Sequence, residues 1–174
     1  KTMSGDVMNI KKIRVDKEGA GMGWGAVYAQ YLESMDQISG QGNGLSVSRQ
    51  LYKGDEALNE SAPLKVGDKI TVRLTIKADR DMDFVQIKDD RAACMEPLQA
   101  VSGFRWSNGL GYYQATKDAS TQFFIDQMRK GTYVIEYQVY VNRTGEYQAG
   151  IATVQSAYAP EFGGHTGGYR VMVE

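Results

Sequence analysis

Apolar and polar residues alternate in several short runs along this chain. Every second residue is apolar over residues 70–76, and residues 133–141 follow the same pattern almost without a fault. Residues 45–51 and 169–173 show it over shorter stretches. Because successive side chains of a β-strand point to opposite faces, a period of two predicts a strand with one buried face. We therefore predict strands in all four runs.

Weaker alternation predicts further strands, near residues 10–15, 24–32, 84–87, 112–116, 122–126 and 148–155. No window of a dozen residues has apolar positions at helical spacing, and only residues 30–38 are suited to a short helix. Glycine, asparagine and aspartate separate the runs and favour turns. About ten short strands joined by such turns predict an all-β protein, an antiparallel β-sandwich.

The glycine-rich stretch 40–44 is the candidate domain boundary. Residues 1–40 are then a leading pair of strands, and residues 41–174 form the main sandwich. The leading pair either ends a preceding linker β-domain or completes this sandwich.

Composition and charge remove several functional classes. The chain has 174 residues, of which 42% are hydrophobic and 24% charged, as expected of a folded domain. Its 20 lysines and arginines nearly cancel its 21 aspartates and glutamates, and the charges are scattered along the chain. The sequence therefore lacks the clustered basic residues that bind nucleic acid. No apolar run approaches the roughly 20 residues that cross a bilayer, so we expect no direct membrane insertion.

Side chains for catalysis are scarce. Cys94 and His165 are the single cysteine and the single histidine, so they are the sole candidates for a thiol nucleophile and its base. A lone cysteine between Ala93 and Met95 is more often a small buried hydrophobe. We predict a non-catalytic protein without a cofactor.

Three carboxylates at alternate positions raise the alternative of a calcium site. Asp79, Asp81 and Asp83 have the spacing of the first ligands of a calcium-binding loop. The sixth position of such a loop requires glycine and holds Phe84, and the twelfth holds Asp90 in place of glutamate. The competing interpretation is a solvated hairpin turn.

Aromatic residues gather in a predicted loop that follows Gly103. Trp106 lies between Arg105 and Asn108, and the loop runs on to Tyr112 and Tyr113. These rings either plug one end of the sandwich core or form a contact surface. A contact surface of this kind suits a carbohydrate-binding or adhesive extracellular module, which is the alternative function.

Three segments are informative through their order and spacing. They are WGAVYAQYL at residues 24–32, LKVGDKITV at 64–72 followed by DDRAACMEP at 89–97, and KGTYVIEY at 130–137 leading to YAPEF at 158–162. Together they resemble the C-terminal macroglobulin-like (MG10-type) domain of bacterial alpha-2-macroglobulin family proteins. The resemblance covers most of the chain.

The resemblance implies an immunoglobulin/macroglobulin-like sandwich at the end of a long, membrane-anchored protein of the bacterial envelope, periplasmic or surface-exposed. In such proteins macroglobulin domains frame a bait region, and a helical thioester domain entraps an attacking protease. The last domain contacts the thioester domain. The implied partners are therefore other domains of the same polypeptide, and proteases only through the parent protein.

The resemblance also implies a contact site at Tyr158, Pro160 and Phe162. In thioester-bearing members an aromatic residue of the last domain shields the reactive bond, and Tyr158 occupies the corresponding segment. Such a ring works by excluding water. The sequence departs from the family at Ala93-Cys94, where members commonly carry a glycine and a large apolar residue before Glu-Pro. Many members lack the thioester, and in those Tyr158 would be an ordinary interface or core residue.

Overall fold

The computed structural model describes residues 12, 14–24, 32–59 and 62–174. It divides into two units, Lys1–Glu33 and Ser34–Glu174, and the described strands all belong to the second. The described residues of the first unit are exposed and form neither strand nor helix. The strand predicted near residues 24–32 lies outside the described residues except at its two ends. Of the strand predicted near residues 10–15, residues 12, 14 and 15 are described and are not in a strand.

The described residues of the second unit form fourteen short strands and one turn of 3-10 helix at Met35–Gln37. The strands are β1 (Gln41–Asn43), β2 (Leu45–Lys53), β3 (Glu56–Ala57), β4 (Lys69–Ala78), β5 (Met82–Asp90), β6 (Met95–Pro97), β7 (Gly103–Ser107), β8 (Leu110–Thr116), β9 (Ser120–Met128), β10 (Gly131–Val141), β11 (Gly145–Ala149), β12 (Ala152–Ser156), β13 (Gly163–His165) and β14 (Tyr169–Val173). Within the described residues no helix has the length and apolar character that crossing a membrane requires.

Twelve of these strands form one continuous sheet that folds over into two layers. One layer has the order β6-β10-β4-β2, with β3 beside β2, and the other has the order β12-β5-β9-β8-β7. The short strands β1 and β13 connect the layers, while β11 and β14 form a separate two-stranded ladder. All named strands pair antiparallel, so the predicted all-β sandwich is confirmed. The strands outnumber the predicted ten or so, and four of the unpredicted ones have only two or three residues, too few to show alternation.

The core lies between the two layers. In β4 the apolar positions of the alternating run, Ile70 to Ile76, are buried, and β10 pairs with β4 so that Ile135 lies opposite Leu74. From the second layer, Phe123 of β9 contacts the ring of Tyr137 on β10 at a centroid distance of 5.9 Å. Apolar burial of this kind stabilises the fold by about 1.5–3 kcal/mol per large side chain.

A buried ion pair also joins the layers. Arg49 of β2 donates hydrogen bonds to the Asp89 carboxylate on β5 and to the Gly150 carbonyl oxygen, and its guanidinium lies 4.6 Å from the centre of the Tyr169 ring. The Tyr137 hydroxyl donates to the second Asp89 oxygen at 2.8 Å. Burial raises the pKa of Asp89, and the charge of Arg49 and the bond from Tyr137 oppose that rise. Both carboxylate oxygens thus have the partners that a buried charge needs.

Strands β1 and β13 form the corner where the sheet passes from one layer to the other. Gly42 lies opposite Gly164 in their ladder. A Cβ atom on Gly42 would lie 2.6 Å from the Leu45 carbonyl oxygen, and one on Gly164 would lie 2.7 Å from the carbonyl oxygens of Gln41 and Leu45. Since these are backbone atoms, they cannot move aside as a flexible side chain would. The corner therefore requires glycine at both positions.

Three elements differ from the sequence-based prediction. Residues 103–111 are not a loop, because they form β7 and the start of β8, joined by Asn108-Gly109. Both turn residues have positive φ (51° and 78°), as a two-residue hairpin turn of type I′ requires. Residues 148–155 contain parts of two strands, because the chain leaves the small ladder after Ala149 and enters the large sheet at Ala152. Within the described part of the short helix suggested for residues 30–38, which is residues 32–38, only the single 3-10 turn is present.

Candidate functional site

The turn between β12 and β13 displays an exposed aromatic ring. We call residues 157–162 the tyrosine turn. Tyr158 is 79% exposed within it. The turn is closed by two backbone hydrogen bonds, from Phe162 N–H to the Ala159 carbonyl at 2.9 Å and from Ser156 N–H to the Phe162 carbonyl at 3.0 Å. Tyr158 therefore projects from a closed loop.

Phe84 of β5 supports the Tyr158 end of the tyrosine turn. The two rings meet edge to face, with centroids 5.1 Å apart and planes at 83°. The Ala157 N–H donates to the Phe84 carbonyl oxygen at 2.9 Å, so backbone and side chain of Phe84 both contact the turn. Edge-to-face pairs of this geometry are attractive, because the positive edge of one ring meets the negative face of the other.

The other end of the tyrosine turn rests on the corner of the sheet. The half-buried ring of Phe162 lies 4.6 Å below the Arg80 guanidinium and packs so closely on Gly44 that a Cβ atom there would lie 2.6 Å from the ring. The Asn43 side chain donates to the Glu161 carbonyl oxygen at 2.7 Å. The turn is thus held at both ends.

Pro160 follows Tyr158 by two residues in the turn and is exposed. Its carbonyl oxygen accepts a hydrogen bond of 3.2 Å from the Gln155 amide. The structure therefore places Tyr158, Pro160 and Phe162 in one turn, with Tyr158 and Pro160 facing outward and Phe162 serving as an anchor. This arrangement suits apolar contact and the exclusion of water.

The aromatic residues predicted as a second surface do not act as one group. Trp106 is 77% exposed on the edge strand β7 and lies against Gly111, and Tyr113 is half-buried. Tyr112 points the other way and packs edge-on against Phe123 at 5.7 Å, where burial raises the pKa of its hydroxyl. Tyr112 therefore belongs to the core.

Phe104 joins Trp106 on the exposed face instead, because the two residues are two positions apart on β7. Phe104 is 79% exposed and meets Tyr113 edge-on at 5.1 Å. We call Phe104, Trp106 and Tyr113 the hairpin face. The sequence carried a signal for this hairpin in the Asn108-Gly109 pair.

Two of the three aspartates of the calcium alternative, Asp79 and Asp81, have other partners. Asp79 pairs with Arg80 at 2.8 Å, which lowers the pKa of Asp79, and Asp81 accepts a bond of 2.7 Å from the Lys130 N–H. In the described ranges no group of three or more His, Cys, Asp or Glu side chains is arranged to hold a metal ion.

Cys94 and His165 lie in different parts of the sheet. Cys94 precedes β6 and is fully buried, which raises the pKa of its thiol. His165 is on β13, where its Nδ1 lies 3.1 Å from the Thr166 carbonyl oxygen. Four strands separate β6 from β13 in the sheet order, so the thiol and the imidazole are not adjacent along the sheet.

Comparison with protein families gives a match to the family described as the bacterial alpha-2-macroglobulin MG10 domain, over residues 44–161. Among curated proteins, the chain is 28% identical over 138 residues to circularly permutated Ras protein 2 of Dictyostelium discoideum. That match covers 75% of this chain and 4% of the relative.

Solved structures with the same fold include bacterial alpha-2-macroglobulins. Salmonella alpha-2-macroglobulin reacted with methylamine matches with a TM-score of 0.64 and 19% identity, over 78% of this chain and 10% of that one. Trypsin-activated alpha-2-macroglobulin from Escherichia coli matches with a TM-score of 0.66 and 15% identity, over 79% and 11% of the two chains. The chain thus spans about a tenth of these proteins.

Proposed function

The chain belongs to the bacterial alpha-2-macroglobulin MG10 domain family, and from this premise we propose that it is a non-catalytic interaction domain of a longer protease-inhibiting protein. In this role it packs on a helical thioester-type domain of the same polypeptide. Tyr158 is the central contact.

The observation that carries the proposal is the exposed ring of Tyr158 on its closed turn. A large ring that is 79% exposed, yet held by contacts at both ends of its turn, has little conformational freedom left to lose on binding. Binding sites that are rigid beforehand lose less entropy when a partner arrives. Tyrosine is also enriched among the few residues that dominate the energetics of an interface.

The solved relatives support the wider role of the parent protein. One is described as trypsin-activated and another as reacted with methylamine, so these proteins respond to a protease and to a small amine. For this chain, we propose that proteases act on the parent protein and that this domain contributes a covering surface. A ring over a thioester would slow its hydrolysis by excluding water, without any proton transfer.

The same relatives suggest where the protein works. We propose a location in the bacterial envelope, periplasmic or surface-exposed, in a membrane-anchored parent. The partners are then the neighbouring domains of the same polypeptide.

The experiment measures the affinity of this chain for the thioester-type domain of its own polypeptide by titration calorimetry. Tyr158→Ala should weaken binding at least about tenfold, as expected of a central interface residue. Tyr158→Phe should retain most of the affinity, because the contact is apolar. Tyr140→Ala, which removes a part-exposed ring from the outer side of β10, is the matched control and should bind normally. Wild-type affinity in Tyr158→Ala would refute the proposal.

The hairpin face favours a second candidate, a carbohydrate-binding or adhesive module. Phe104 and Trp106 expose their rings side by side on β7, as stacking platforms for sugars do. If this is the function, a glycan array should show binding that Trp106→Ala abolishes and Tyr140→Ala leaves intact. An array without binding would remove this candidate.

A further inference from the structure

Phe84 has a backbone conformation that bulky residues rarely adopt. Its φ is 52°, in the left-handed region, although it lies inside strand β5. For a residue with a Cβ atom this region is unfavourable, and for a bulky one it is an outlier. Its neighbours Asp83 and Val85 pair with Gln127 and Ile125 of β9. The strain is therefore confined to one position of an otherwise regular ladder.

The strain at Phe84 does not serve the hydrophobic core. The side chain is 48% exposed and points to the outer surface, while its neighbour Val85 is buried. A residue needed only to shape the backbone here would be glycine, which adopts positive φ without a penalty. Strained residues that persist outside the core are often found at functional sites.

Phe84 contacts the tyrosine turn through both its backbone and its side chain. The carbonyl oxygen accepts the hydrogen bond from Ala157 N–H, and the ring meets Tyr158 at 5.1 Å. The strained backbone of Phe84 thus contacts Ala157, and its ring contacts Tyr158, the next residue of the same turn.

We propose that Phe84 is a positioning residue for Tyr158, so that the contact surface is a unit of two rings. This inference rests on the proposed function and names the residue that prepares its surface for binding. Tyr158 contacts the partner, and Phe84 fixes the direction in which the Tyr158 ring projects. Functional side chains are held in this way by residues packed behind them.

The first test measures melting temperatures of Phe84→Gly and Phe84→Ala. Both variants lose the ring, and only glycine relieves the positive φ. In an ordinary strand alanine is the more stable of the two. We expect the reverse order here, with Phe84→Gly melting above Phe84→Ala. The usual order would show that position 84 is not strained and would overturn the inference.

The second test follows the Tyr158 ring by NMR in protein carrying labelled tyrosine, with Tyr158→Phe identifying its signals. In the wild type, the ring current of Phe84 should displace the Tyr158 proton shifts from those of a free tyrosine. In Phe84→Gly the shifts should approach the free values, and in the conservative variant Phe84→Tyr they should remain displaced. Unchanged Tyr158 shifts in Phe84→Gly would overturn the inference.

Measuring how variants bind the thioester-type domain tests this inference and the proposed function separately. We expect Phe84→Gly to weaken binding, and to have no further effect when Tyr158→Ala is already present, because coupled residues are not additive. If Tyr158→Ala weakens binding and Phe84→Gly does not, the positioning role is refuted while the proposed function stands. If the NMR shifts change but Tyr158→Ala binds normally, the proposed function is refuted while the positioning of the ring is supported.

Discussion

Single residues join the two layers of this protein through charge as well as through apolar packing. Arg49 and Asp89 lie 40 residues apart in sequence and meet in the interior, where Tyr137 completes the hydrogen bonding of the carboxylate. Removing one partner of such a pair leaves the other charge buried without compensation. The group is therefore a sensitive point of the fold.

We expect Asp89→Ala to lower the free energy of unfolding by about 3–5 kcal/mol, because the Arg49 charge would stay buried without its counter-ion. Tyr137→Phe removes one hydrogen bond and should cost about 1–3 kcal/mol. Chemical denaturation measures both changes. Asp79→Ala, which replaces an exposed aspartate, is the control and should change the free energy of unfolding little. Equal stability of Asp89→Ala and the wild type would contradict this account.

The sequence contains a signal for this pair. Arg49 falls on the inward side of β2, in step with Leu45 and Val47, and Asp89 falls on the inward side of β5, in step with Val85 and Ile87. Polar residues at inward positions of two strands suggest a buried pair. The conformation of Phe84 has no comparable signal, because tertiary contacts and not local pattern set its φ.

The sequence predicts the long strands of this protein better than the short ones. The long strands β4 and β10 carry enough alternating positions to be recognised, whereas β1, β3, β6 and β13 have three residues or fewer. These short strands are specified by the chain geometry around them. The corner of β1 and β13 is the clearest case. Glycine is required there because backbone atoms of neighbouring strands lie too close for a side chain, which no alternating pattern reveals.

At the corner, Gly164→Ala should lower the free energy of unfolding by about 1–3 kcal/mol, since a Cβ atom there meets two carbonyl oxygens and the backbone must shift. Gly103→Ala is the control, because the nearest atom to its added Cβ is the end of the flexible Arg105 side chain at 3.4 Å. Thermal unfolding measures the difference. Equal melting temperatures for the two variants would show that the corner can relax.

For the molecule as a whole, the contacts and the glycine pattern place the start of the sandwich at different residues. Contacts divide the chain between residues 33 and 34, whereas the glycine pattern favours a boundary after residue 40. The intervening segment contacts the small ladder, since the 3-10 helix lies near β11 and β14 and Gly168 N–H donates to the Ile38 carbonyl at 3.1 Å. These contacts favour the earlier boundary.

A piece comprising residues 34–174 should therefore melt at the temperature of the full chain, because every buried residue among those that the structure describes lies within it. A piece comprising residues 41–174 should melt at a lower temperature, since it lacks the bond to Gly168 and the packing of the 3-10 helix. Differential scanning calorimetry of the two pieces decides the boundary. Equal melting temperatures would favour residue 41 as the start.

Strand β7 has consequences for handling the protein in solution. It is the last strand of its layer, so one side of its backbone has no ladder partner among the described strands, and it carries the exposed rings of Phe104 and Trp106. Unpaired apolar edges tend to pair with one another as concentration rises. We therefore expect the isolated domain to lose solubility in concentrated solution, and longer pieces of the parent protein to remain dispersed if a neighbouring domain covers this edge.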